Sequence, residues 1–164
     1  MELKSYQQQI LDDLQRFMQC VQETKKADTA FGKFWTEHPR TPLNPFPDTA
    51  VEPYKNNVKN APHVCIKVPT GGGKTFIASA SLATIFKEFD ESHFRTVVWL
   101  VPSITILEQT IRNLSNPEHP YRQRINTDFA NRVEIFSKDQ ALQGAGFSLS
   151  VAKENLCILV MSFD

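Results

Sequence analysis

Three successive glycines, Gly71-Gly72-Gly73, followed at once by Lys74 and Thr75, constrain this chain more than any other stretch of it. They stand between an apolar run, His63-Val64-Cys65-Ile66-Lys67-Val68, and a stretch in which Ala78, Leu82, Ile85 and Phe89 recur at helical spacing. The pattern predicts a buried strand over 63–68, a glycine turn, and a helix from Lys74 to about Phe89. Glycines reach φ values closed to other residues, so a run of them lets backbone N–H groups point inward while the new helix adds its positive end. Such a cradle suits the oxygens of a triphosphate. Lys74 supplies a mobile charge for the terminal phosphates, and the Thr75 hydroxyl can join the shell of a Mg²⁺ ion. Thr70, Gly71, Gly72, Gly73, Lys74 and Thr75 are therefore the candidate ATP-binding loop. Gly73, Lys74 and Thr75 match the general pattern GxxxxGK[ST], whereas Val68 replaces its leading glycine.

Further runs of strand character lie at 96–101, 132–136 and 156–161, with helical stretches at 104–114 and around 138–143 between them. Strands rich in Val, Ile and Leu joined by helical crossovers predict an α/β fold, a parallel sheet with helices on both faces. Ahead of the loop, Leu3, Tyr6, Ile10, Leu14, Phe17 and Val21 form the apolar stripe of a helix that Ser5 can cap. From 27 to 62 the periodicity stops, and six of the ten prolines (Pro39, Pro42, Pro45, Pro47, Pro53, Pro62) fall there. This reads as an irregular, Pro-rich insertion. Its aromatic residues Phe31, Phe34, Trp35, Phe46 and Tyr54 are too many for a solvated linker and are expected to lie against the domain. At 164 residues the chain has the length of one domain, expected to span 1–164.

Lys plus Arg equals Asp plus Glu at 18 each, so no global positive field speaks for or against nucleic acid. Cys20, Cys65 and Cys157 lie far apart without a CxxC pair, which fits a reducing cytoplasm. His63 and Cys65 alternate on one run, but two ligands do not make a tetrahedral metal site. No stretch approaches the ~18 apolar residues of a membrane span, so a cytoplasmic protein without membrane contact is expected.

With these residues in view, the chain resembles superfamily 2 helicases, in which a Pro-Thr-Gly-x-Gly-Lys-Thr loop without the leading glycine is common. Two further segments match in order. Leu3-Lys4-Ser5-Tyr6-Gln7 is similar to a Leu-Arg-x-Tyr-Gln motif whose glutamine reads adenine, which implies that role for Gln7. An amide suits it, since its donor and acceptor can pair with two atoms of the base edge. Val98-Trp99-Leu100-Val101-Pro102-Ser103 resembles motif Ia, which implies that Pro102 and Ser103 face a nucleic-acid phosphate, although Ser103 is also placed simply to cap the next helix. More weakly, the run ending in Met161-Ser162 resembles the strand before motif Ib, with Ser162 in place of a threonine. Within the superfamily the combination looks most like the motor subunit of type III restriction endonucleases. The resemblance implies a partial RecA-like domain that uses ATP and Mg²⁺, acts on DNA, and works with a second motor lobe and with nuclease and methyltransferase subunits. Lys74 is its implied catalytic residue.

Hydrolysis needs an Asp at a strand end to hold Mg²⁺ and a neighbouring Glu to orient water. The string Asp90-Glu91-Ser92-His93 has the right letters but follows the tail of the loop helix rather than a strand, where a solvated turn is expected. Asp164 follows an apolar run with Ser162 and Phe163 between and is a poor second choice. The resemblance puts the carboxylates after motif Ib, so the chain is expected to be an N-terminal fragment that does not hydrolyse ATP alone and that leaves strand edges open to self-association. Two other readings stay open: a different phosphate-loop enzyme such as a small kinase, and a non-catalytic interaction module that uses 31–54 as its contact surface.

Overall fold

The computed structural model of the protein describes residues 2–38, 52–58, 61–89 and 94–163. In chain order the elements are α1 (Ser5–Thr24), α2 (Ala27–Glu37), α3 (Lys74–Glu88), β1 (Arg95–Val101), α4 (Ile104–Ser115), α5 (Pro120–Asp128), β2 (Val133–Ser137), α6 (Lys138–Leu142), α7 (Leu149–Glu154) and β3 (Leu156–Ser162).

The strands form a parallel sheet in the order β1-β3-β2. β3 is the middle strand, and its side chains alternate between two cores. Leu156, Ile158 and Val160 point into one formed with Leu82 of α3, Leu114 of α4, and Ile125 and Phe129 of and beyond α5. Cys157 and Leu159 point into the other, with Phe136 of β2 and Ala152 of α7. Both faces of β3 are therefore covered, which is what a run of Leu, Ile and Val without polar alternation requires. β1 is covered on one face only: Val97 and Trp99 pack inward, while Val98 and Leu100 are more than half exposed at 55% and 51%. Among the described residues β1 pairs with β3 alone, so its other edge is open.

Each helix after the sheet's strands starts on a local device. Ser137 and Ser148 accept from the backbone N–H groups of Gln140 and Val151, and α5 opens with Pro120 behind the cap residue His119. Helix α1 lays Ile10, Leu14, Phe17 and Val21 inward, as its stripe predicts. It packs on α2 through Phe17 and Phe34, whose rings meet edge to face at 6.0 Å.

Four expectations from the sequence need correction. The run 63–68 is not a buried strand: it is extended, has no paired neighbour among the described residues, and leaves His63, Val64, Cys65 and Lys67 exposed. β-Rich composition makes a strand only where another strand lies alongside. The irregular stretch expected from 27 begins instead with helix α2, because Ala27, Ala30 and Phe34 recur on one face and are buried there. Ser5 does not cap α1; it is the first helical residue, and the Lys4 N–H is capped by Gln7 Oε1 at 2.9 Å. Finally, α3 does not bury one stripe but is enclosed on opposite sides. Ile77 and Ala80 meet α1, Leu82 meets the sheet core, and Ile85 and Phe89 meet the α1–α2 cluster. The aromatic residues Phe31, Trp35 and Tyr54 do lie against that cluster, as expected; Phe46 falls outside the described residues.

Candidate functional site

The glycine loop is built by one turn and one helix start. Gly72 N–H donates to Pro69 O at 3.0 Å, closing a turn in which Gly71 takes φ 75°. That conformation at the third position of a turn favours glycine over any side chain. Gly73 follows at φ 76° as the N-cap of α3, and its carbonyl accepts the first helical bond from Ile77 N at 2.9 Å. The N–H groups of the first turn of α3, Lys74 to Phe76, therefore have no partner inside the helix and carry its positive end.

Close approach demands glycine here a second time. A Cβ on Gly73 would lie 2.7 Å from Gln7 Nε2, and one on Gly72 only 2.5 Å from Val68 Cγ1. The loop is thus packed directly against the start of α1, where Tyr6 Oη donates to Gly72 O at 2.6 Å and Gln7 Nε2 donates to the same oxygen at 3.1 Å. Gln7 is buried, at 5% exposure, and its other amide atom is taken by the Lys4 N–H.

Thr70, Gly71 and Lys74 are exposed, and Gly72, Gly73 and Thr75 half-buried. Lys74 Nζ donates to Pro69 O at 3.0 Å, so its ammonium lies folded back over the turn on a flexible stem. Beside it an open hollow of about 430 Å³ is lined by Ile66, Lys67, Val68, Pro69 and Lys74. A more enclosed cavity of about 260 Å³ lies between α1, α2 and the run 63–67, walled by Phe17, Phe31, Phe34 and Trp35. It contains none of the loop's glycines. Asp13 at its wall is buried, and burial pushes its carboxyl above the ordinary range while Arg16 at 3.2 Å pulls it back.

The other predicted site residues form a second group. β1 and β3 end side by side, with Val101 opposite Ser162 and Phe163 N–H donating to Val101 O at 3.2 Å. Pro102 and Ser103 leave β1 at that end; Ser103 Oγ accepts from Ile106 N at 3.5 Å and so caps α4, as its position in the sequence predicts. Ser103, Pro102 and Ser162 are thereby gathered at one end of the sheet. Asp90, Glu91 and Asp164 lie outside the described residues. What sequence reasoning missed is Tyr6, which it placed on an apolar stripe; in the fold this ring is 38% exposed and its hydroxyl serves the loop.

Among the described residues no group of three or more His, Cys, Asp or Glu is arranged to hold a metal ion. A Mg²⁺ ion at this loop would rest on the Thr75 hydroxyl and on phosphate oxygens, a donor set of hard oxygens that fits the ion.

A parallel sheet flanked by helices, with a glycine loop opening a helix that packs on it, defines the RecA-like class of phosphate-loop domains. The family model described as "Type III restriction enzyme, res subunit" matches residues 1–163, and the chain belongs to that family, the helicase-type ATP-binding motors of restriction enzymes. Neither the comparison with curated proteins nor that with solved structures gives a match. Among the described residues no helix is long and apolar enough to cross a membrane.

Proposed function

We propose that residues 1–164 are the ATP-binding part of a DNA translocase motor, in which Thr70 to Thr75 hold the triphosphate. The observation that carries this reading is the loop itself: two glycines at positive φ, closed by Gly72 N–H on Pro69 O, opening directly into α3. Lys74 Nζ leaves Pro69 O for the β and γ oxygens, the α3 N-terminus faces the same charge, and the Thr75 hydroxyl joins the Mg²⁺ shell. Gln7, whose amide is engaged by Lys4 N–H and Gly72 O, would have to release one of these partners to read the adenine edge. Ser103 and the first turn of α4, with Pro102 and Ser162 beside them, offer N–H and hydroxyl donors to a DNA phosphate.

Binding and turnover separate in this reading. The described strands run on into Pro102-Ser103, Lys138-Asp139 and Ser162-Phe163, none of them an adjacent Asp-Glu pair. The Asp90-Glu91 run follows the 15-residue helix α3 in sequence rather than a strand and lies outside the described residues. A chain that binds ATP without a placed water-activating carboxylate holds the nucleotide and does not cleave it. In this reading the carboxylates follow the motif Ib strand, as the resemblance implies, and the partners are a second motor lobe with nuclease and methyltransferase subunits.

Calorimetry of ATP·Mg²⁺ on wild type and Lys74→Ala tests the reading, with phosphate release followed in the same samples with and without DNA. Saturable binding in the wild type, weakened at least about a hundredfold in the variant, is expected from loss of a charge-assisted contact to phosphate. No phosphate release is expected in either. DNA-stimulated release by the wild type would assign catalysis to Asp90, Glu91 or Asp164, and no binding would defeat the reading.

A further inference from the structure

The Gly72–Gly73 peptide is flanked by two residues without a Cβ, so its plane has a rotational freedom that side chains would otherwise restrict. It is also the peptide the protein holds most firmly from outside. Gly72 O receives Tyr6 Oη at 2.6 Å and Gln7 Nε2 at 3.1 Å, and these two donors touch each other at 3.3 Å. All three groups lie at the junction of the first turn of α1 with the loop, 65 and 66 residues apart in sequence.

A trans peptide is planar, with its C=O and N–H pointing in opposite directions. Fixing Gly72 O toward α1 therefore turns the Gly73 N–H away from α1. Gly72 N–H is spent inside the loop on Pro69 O, so next to the α3 start the donors that can greet an anion are those of Gly73 and of the helix's first turn. The Gly73 N–H is the one among them whose direction no helix fixes.

We propose that Tyr6 is a positioning residue of the phosphate loop: its hydroxyl, together with Gln7, sets the Gly72–Gly73 peptide so that the Gly73 N–H faces bound polyphosphate. Gln7 alone is the weaker holder, since its contact is longer and its amide is shared with Lys4 N–H and Tyr6 Oη. Tyr6 touches no phosphate itself; it removes an orientation that the two glycines would otherwise sample. The inference rests on the reading that this loop binds a nucleoside triphosphate.

The experiment compares wild type with Tyr6→Phe, which keeps the ring and loses only the hydroxyl. Both are titrated with ATP·Mg²⁺ and with inorganic tripolyphosphate·Mg²⁺, and the Gly73 amide resonance is followed by ¹⁵N–¹H NMR. Loss of one net hydrogen bond predicts Kd values raised about three- to tenfold, by the same factor for both ligands. The Gly73 resonance is expected to move before any ligand is added, and the melting temperature to stay close to wild type. An unmoved Gly73 resonance overturns the proposal, as does unchanged tripolyphosphate affinity in Tyr6→Phe. Loss for ATP alone assigns Tyr6 to the base and overturns it as well. If the wild type binds neither ligand, the reading of the loop itself fails and takes the proposal with it, a result separable from the others by the wild-type titration alone.

Discussion

β3 and the run 63–68 are built from similar residues, Leu-Cys-Ile-Leu-Val-Met-Ser against His-Val-Cys-Ile-Lys-Val, yet they end in opposite environments. β3 has a strand on each side and a core on each face, and every residue from Leu156 to Val160 is buried. The run 63–68 has no strand beside it among the described residues; only Ile66 and Val68 pack inward, against Ile10, Leu11, Ile77 and Ala80 of α1 and α3. A strand is thus a property of neighbours as much as of composition. The difference also divides the labour of the molecule. The sheet supplies the core, while the glycine loop is held by α3 behind it and by the Tyr6–Gln7 clasp on Gly72 O.

That contrast can be broken most directly by truncation in the two regions. Ile158→Ala in the middle of β3 removes a fully buried side chain and is expected to destabilise the fold by roughly 2–5 kcal/mol, read by urea unfolding. If the loop is a local structure, Gly73→Ala has a smaller effect on unfolding, roughly 1–3 kcal/mol for a Cβ forced to positive φ against Gln7 Nε2. It should cost ATP affinity out of proportion to that loss. Val68→Ala, half-buried and outside the sheet, is expected to change stability by about 1 kcal/mol or less. Equal losses for Ile158→Ala and Val68→Ala would mean that 63–68 bears on the core after all.

Much of this fold is legible in the sequence where periodicity and caps agree. The stripe of α1, the span of α3, the bounds of β1 and β3 and the Ser103 cap are all there to read. α2 escaped because the prolines that follow it outweigh its short Ala27, Ala30, Phe34 stripe. α5 escaped because, apart from Tyr121, it carries a single large apolar side chain, Ile125, which nevertheless is fully buried. At the site, the glycines, Lys74 and Thr75 announce themselves through local chemistry. The role of Tyr6 does not, because it depends on a carbonyl 66 residues away that only the packing of α1 on α3 brings near. The unpaired state of 63–68 is equally invisible, since no feature of a strand's own residues states whether a neighbour is present.

The central claim is that the nucleotide sits on the glycine loop and not in the aromatic cavity beside α2. Hydrogen exchange on the wild-type chain, measured with and without ATP·Mg²⁺, tests it most directly. Slowed exchange confined to the amides of Gly71 to Phe76, with 63–67 still exchanging freely and the α1–α2 contact unchanged, is the predicted result. Slowing at Phe31, Phe34 and Trp35 with an unaltered loop would contradict it.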